Sequence, residues 1–190
     1  MKVSREQAAE NREKILSAAA ELFRQRGFEG ISVADLMKQV GLTHGGFYGH
    51  FESKEDLMAQ ACTHAFKEKI QPWKSSSVIK SSKPLAAIAS KYLTPLHRDN
   101  AGSGCVIAAL ATDVARQGPR VRHAVTEGLQ QHIESLTQMA PGTTTAEKRE
   151  KALTLYSSMI GALILSRAVD DPELSREILH AVENSSAGIS

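Results

Sequence analysis

Residues 41–57 read GLTHGGFYGHFESKEDL, and the fold is decided there. A glycine at 41 supplies the left-handed position that ends a helix. Thr43 can then cap a very short helix running through HGGFYGH to about Phe51. Ser53 with Asp56 three positions later is a capping signature that opens another helix at Lys54. Just upstream, Ser32 with Asp35 repeats that signature and begins a helix over 33–40. Two short helices joined by the tight turn Gly41-Leu42-Thr43 form a helix-turn-helix arrangement. In that geometry the second helix enters the major groove and offers its first residues to base edges, while neighbouring helix starts meet phosphates.

The side chains suit both tasks. Ser32, Thr43 and Ser53 put hydroxyls and unbonded backbone N–H groups at three helix starts, where the helix dipole attracts phosphate oxygens. His44, Tyr48 and His50 offer hydrogen-bonding groups and a flat face, and Gly45, Gly46 and Gly49 leave the backbone bare. Three glycines within a short helix cost roughly 1 kcal/mol each relative to alanine. Close approach to a surface such as a groove floor is the compensation expected. Phe47 and Phe51, four apart, anchor the segment on Leu22, Phe23, Val33 and Leu36.

Working outward, apolar residues at three- and four-residue spacings from Gln7 to Arg26 predict a first helix, stopped by Gly27. The helix from Lys54 is expected to extend past Phe66 towards Trp73, before a serine- and lysine-rich stretch over 72–84. Further helices are expected over 84–96, 104–116, 119–139, 146–169 and 172–183, separated by Asn100-Ala-Gly-Ser-Gly, Gly118-Pro119, Pro141-Gly142 and Asp170-Asp171-Pro172. Proline in a first helical turn loses no hydrogen bond, which explains its place after Gly118 and Asp171. The fold class is therefore all-α, about nine helices without a sheet, with residues 184–190 expected to be a disordered tail. Residues 1–70 are assigned to DNA binding, and 71–190 form a second helical unit.

Composition adds limits rather than direction. The chain has 190 residues, 42% apolar and 23% charged, with a formal net charge of +2. Over residues 1–70 basic and acidic side chains are equal in number, so bulk charge cannot supply DNA affinity and placement must. Cys62 and Cys105 lie outside any C-x-x-C pattern, which indicates neither a disulfide framework nor a zinc site. The charged first residues lack an apolar h-region, and no apolar stretch approaches the ~20 residues that span a bilayer, so a cytoplasmic protein without a membrane partner is expected.

The stretch from Asn11 to Ala61, above all GLTHGGFYGHFESKEDL, resembles the DNA-binding segment of the TetR family of bacterial transcriptional regulators. The resemblance implies a homodimer that binds a palindromic operator in double-stranded DNA, usually as a repressor, and releases it when a small-molecule effector occupies the C-terminal domain, so that residues 71–190 serve effector binding and dimerisation. It assigns Ser32 to phosphate, Thr43, His44, Gly45 and Tyr48 to bases and flanking phosphates, His50 and Lys54 to the backbone, and Arg12 as a weaker phosphate contact.

Downstream, the helix over 146–169 is too apolar for one buried stripe. Tyr156, Met159, Ile160, Leu163 and Ile164, with Leu174, Ile178 and Val182 from the next helix, are expected to meet a second subunit. Candidate walls of an effector pocket are Phe66, Trp73, Tyr92, Cys105, Ile107, Leu110, His123 and Met159. Cys105 follows Gly102-Ser103-Gly104 at a helix start, where the dipole can favour a thiolate. Gly-Cys at this point also resembles one branch of the family in which some members sense electrophiles or oxidants; plain packing is the alternative. No catalytic motif, metal-ligand spacing or cofactor loop is found, so no enzyme activity, metal or cofactor is expected. A helical adaptor without DNA binding is the rival function, and it has no use for the glycine-rich short helix.

Overall fold

In the computed structural model, which describes residues 4–70, 73 and 76–188, ten α-helices and two short 3-10 helices make up the described secondary structure, with no strand among those residues. Helix α1 (Arg5–Arg26) is capped by the Ser4 side chain, which accepts from the Gln7 N–H at 3.1 Å, and ends at Gly27 with φ +74°. Helix α2 (Val33–Gln39) starts at Ser32, whose oxygen accepts from the Asp35 N–H at 3.1 Å.

The turn after α2 has the bonds of a Schellman motif: Leu42 N–H to Met37 C=O at 2.9 Å and Gly41 N–H to Lys38 C=O at 3.1 Å. Gly41 sits at φ +73°, where a Cβ is strained. The short helix expected over 43–51 is a 3-10 helix, His44–Gly49. Helix α3 (Lys54–Ile70) follows, with Ser53 accepting from the Asp56 N–H at 3.1 Å.

Beyond it lie α4 (Ser76–Ile79), α5 (Pro84–Tyr92), α6 (Pro95–Asp99), a 3-10 turn (Ala101–Ser103), α7 (Val106–Val114), α8 (Pro119–Met139), α9 (Thr145–Ala168) and α10 (Pro172–Ala187). The single helix expected over 84–96 is two helices. Thr94 caps a new start by accepting from the His97 N–H at 3.1 Å, and Pro95 has no N–H to continue the old ladder. The helix expected from 104 begins at Val106, because Gly104 is extended and Cys105 is the cap. Residues 184–187 continue α10 rather than forming a disordered tail. Part of the expected serine- and lysine-rich stretch, and the last two residues of the chain, lie outside the described residues.

Two hydrophobic cores result. The first joins α1, α2, the 3-10 helix and α3 to Val106, Leu110 and Val114 of α7 and Val121 and Val125 of α8. Packing therefore continues across residue 70. The second gathers Trp73, α5, the later half of α8 and the inner face of α9, and Ile107 and Leu129 touch both.

Candidate nucleic-acid interface and effector pocket

The N-terminal candidates fall on one outer surface. Phe47 and Phe51 are buried and stacked at 5.6 Å, which fixes the 3-10 helix from beneath. Thr43, His44, Gly45 and Tyr48 stay exposed above it, with His50 half-buried. Tyr48 keeps 65% of its surface open, although a side chain with this much apolar area is buried where a core can take it. An alanine methyl at Gly45 or Gly49 would meet nothing of this chain within 4 Å, so internal packing does not require either glycine.

Thr43 makes no side-chain capping bond, contrary to the expectation that it caps the short helix; its hydroxyl remains unspent. Ser32 donates its hydroxyl proton to Asp35 at 2.6 Å. Lys54 reaches Glu29 at 3.5 Å, an exposed pair of little net strength. The Arg12 guanidinium is engaged inwardly, on Gln60 and over the Phe51 ring at 5.2 Å.

This surface is tied to the rest of the molecule by three polar links, of which only the one made by Arg24 is fully buried. Arg120 at the start of α8 pairs with Asp56 at 2.7 Å and Glu52 at 3.0 Å, holding the beginning of α3. Asp113 of α7 accepts from the Phe28 N–H at 3.2 Å just past α1. Arg24 of α1 donates to the Gly102 carbonyl at 2.5 Å and faces Glu68 of α3 at 3.8 Å.

Next to the Gly102 turn is a cavity of about 280 Å³. Of the eight expected wall residues, Trp73, Tyr92 and Cys105 line it. Phe66, Leu110 and Met159 are core, Ile107 packs between the two cores, and His123 stands exposed beside Glu127 at 3.4 Å. The remaining wall includes His97, His132 and Tyr156. His132 was legible in principle: it continues the stripe Val121, Val125, Gly128 of α8, from which His123 departs.

Hydrogen-bond logic fixes the proton positions in this wall. The Phe66 carbonyl can only accept, so His132 Nε2–H donates to it at 3.1 Å. His132 Nδ1 must then accept from the Tyr156 hydroxyl at 3.1 Å, and the Cys105 thiol donates to the Tyr156 oxygen at 3.8 Å. Burial lowers the His132 pKa and keeps it neutral, and burial with the neighbouring Cys105 raises that of Tyr156. Likewise His97 Nε2 accepts from the Cys105 N–H at 2.9 Å while its Nδ1–H donates to the Tyr92 carbonyl at 2.8 Å. The backbone N–H of Cys105 is thus already used.

One chain thus combines a helix-turn-helix, an exposed outer surface on its second helix and a cavity whose wall is bonded to α3. The description for bacterial regulatory proteins of the tetR family matches residues 15–61, and that for the C-terminal domain of LmrA/YxaF-like transcriptional regulators matches residues 81–183. The chain belongs to the TetR family. As a TetR-family protein it is a DNA-binding transcriptional regulator.

It is 24% identical over 185 residues to the HTH-type transcriptional repressor NemR of Escherichia coli (strain K12), covering 92% of this chain and 93% of that one. It is 26% identical over 163 residues to the HTH-type transcriptional regulator LmrA of Bacillus subtilis (strain 168), covering 83% and 86%. The fold matches the crystal structure of reduced E. coli NemR with a TM-score of 0.78 at 22% identity, over 95% of this chain and 96% of that one. A TetR-family regulator from Agrobacterium tumefaciens superposes with a TM-score of 0.77 at 21% identity, over 96% and 99%.

The expected dimer face needs correction. Tyr156, Met159 and Leu163 point into the core of their own subunit, with at most 2% of each exposed. Ile160, Ile164, Leu174, Ile178 and Val182 lie outward or half-buried, and Leu153 and Leu165 join them on the open side of α9. Among the described residues no group of three or more His, Cys, Asp or Glu could hold a metal ion, and no helix is long and apolar enough to cross a membrane.

Proposed function

We propose that this TetR-family regulator is a cytoplasmic homodimeric repressor that binds a palindromic operator and releases it when a small molecule fills the cavity beside Cys105. The observation that carries this reading is the link between cavity and reading surface. His132 in the cavity wall holds the Phe66 carbonyl of α3, the helix that begins directly after the DNA-facing segment. In this reading Thr43, His44, Gly45 and Tyr48 meet bases and nearby phosphates, and Ser32, His50 and Lys54 meet the backbone. Arg12 reaches a phosphate only by leaving Gln60. Residues 1–70 supply the DNA-contacting unit, and the rest supplies effector binding and dimerisation through α9 and α10.

Selection of bound sequences from a random DNA pool tests the proposal. The expected product is a palindrome with half-sites about 34 Å apart, bound by a dimer whose affinity falls steeply with salt. An unenriched pool would sink it. Cys105 enters as a wall residue; whether its thiol is itself the sensor is read from Cys105→Ser. Operator binding retained with release by oxidants abolished supports the sensor role, and unchanged release removes it.

A further inference from the structure

The cavity wall described above has one polar group left over. Cys105, Tyr156, His132 and His97 spend their hydrogen-bonding atoms on one another and on the backbone of Phe66, Tyr92 and Cys105. The Tyr92 hydroxyl is buried and has no partner, with 7% of the residue exposed. The Cys105 sulfur lies close enough to weigh on its ionisation, at a geometry short of a hydrogen bond. Burial and that sulfur push the Tyr92 pKa well up, so the group stays a phenol with a proton to give.

The inner wall is mainly aromatic, with Thr94, Leu96 and Ser103 beside it, and among the described residues Lys91 is the single charged side chain of the lining. Trp73 lies 4.6 Å from the His132 ring and edge-on to Tyr156 at 5.7 Å, and His132 is neutral. Lys91 is exposed at the rim and has its own partner. An ion placed inside would lose its hydration without a counter-charge. A volume of about 280 Å³ holds one or two fused rings rather than an extended ligand.

We propose that the cavity takes an uncharged one- or two-ring aromatic molecule bearing a carbonyl-type oxygen, which packs on Trp73, His132 and Tyr156 and accepts the hydrogen bond of the Tyr92 hydroxyl. The ligand oxygen reaches that hydroxyl as the Cys105 side chain gives way, which loses one long 3.8 Å thiol contact. Tyr92 is then the residue that distinguishes an oxygen-bearing ring from a hydrocarbon of the same shape. This deepens the effector-release reading and rests on it only for the word effector; the binding claim stands by itself.

The test uses coumarin, naphthalene and 2-naphthoate as probes of nearly equal shape, with calorimetry for affinity on the full-length protein. Trp73 is the only tryptophan in the chain, so its fluorescence reports whether a probe occupies this cavity. Coumarin is expected to bind about tenfold more tightly than naphthalene, the ratio that one hydrogen bond to a previously unpaired donor supplies, and also more tightly than 2-naphthoate. Tyr92→Phe removes only the unpaired oxygen, so its melting temperature should equal or exceed that of the wild type. It should bring coumarin down to the affinity of naphthalene and leave naphthalene unchanged. Absence of coumarin binding, an unchanged ratio in Tyr92→Phe, or a preference for 2-naphthoate overturns the inference. Coumarin that binds as described but leaves the operator complex intact counts against the release reading alone.

Discussion

The two hydrophobic cores share α7 and α8 but are finished differently. In the N-terminal core the packing is close: the gap among Ala20, Phe23, Cys62 and Leu110 has no room for a water molecule. Buried charges there, Arg24 and Asp56, serve as clamps between helices, with one Arg24 guanidinium nitrogen, Nη1, left without a partner. The second core borders an open-mouthed cavity of about 280 Å³, carries a polar chain through Cys105, Tyr156 and His132, and leaves the Tyr92 hydroxyl unpaired. Recognition of a rigid duplex calls for side chains held without play, and response to a ligand calls for space. The proposed reading therefore puts its two tasks where the packing suits each.

The sharpest way to break this contrast is to open the closed core. Phe47 has no exposed surface and stacks on Phe51, so Phe47→Ala should cost about 3–5 kcal/mol in denaturant unfolding and abolish operator binding. A loss under 1 kcal/mol would mean that the first core is not tightly packed. Next in size is Gly128→Ala, at the seam between the cores. The added methyl would overlap the Phe66 ring, and the net cost should be about 1–3 kcal/mol, since overpacking outweighs the gain in helix propensity.

Gly45→Ala sharpens the comparison from the other side. The new methyl meets open space, so stability should rise by up to about 1 kcal/mol while operator affinity falls at least several-fold in a gel-shift titration. Unchanged affinity would remove Gly45 from the interface. Tyr48→Ala should likewise leave stability within about 0.5 kcal/mol and weaken the operator complex.

The smallest effect is one of pH. His132 is held below its ordinary value of 6.5 by burial, so the unfolded chain binds a proton that the folded chain refuses. Its contribution to stability is complete above about pH 6.5 and is lost as pH falls below that value. Denaturation midpoints measured down through pH 5 should therefore decline, and His132→Gln should flatten that decline. A slope identical in both proteins refutes the assignment of His132 as buried and neutral.

How much was legible follows from the range of the forces. The Ser32 and Ser53 caps, the Gly41 turn and the Pro119 and Pro172 starts are settled within four residues, and each was readable directly. The Thr94-Pro95 restart is equally local, and the apolar run through 84–96 concealed it. The cavity depends on how α5, α7, α8 and α9 converge. No spacing in one helix shows that His132 faces Trp73 or that Met159 is fully buried. The same holds for α9, where apolarity is plain but its division between the subunit's own core and an outer face is set by tertiary packing.

The bond from Arg24 to the Gly102 carbonyl joins α1 to the turn that carries Ser103 and leads into Cys105. A connection of this kind works equally in both directions, because coupling between two binding sites is a single free energy. For a releasable repressor, DNA must then weaken the cavity's hold on its ligand by the same factor by which the ligand weakens the hold on DNA. The effector concentration that triggers a response is therefore not a property of the protein alone. A cell holding more operator copies, or tighter ones, sets that threshold higher.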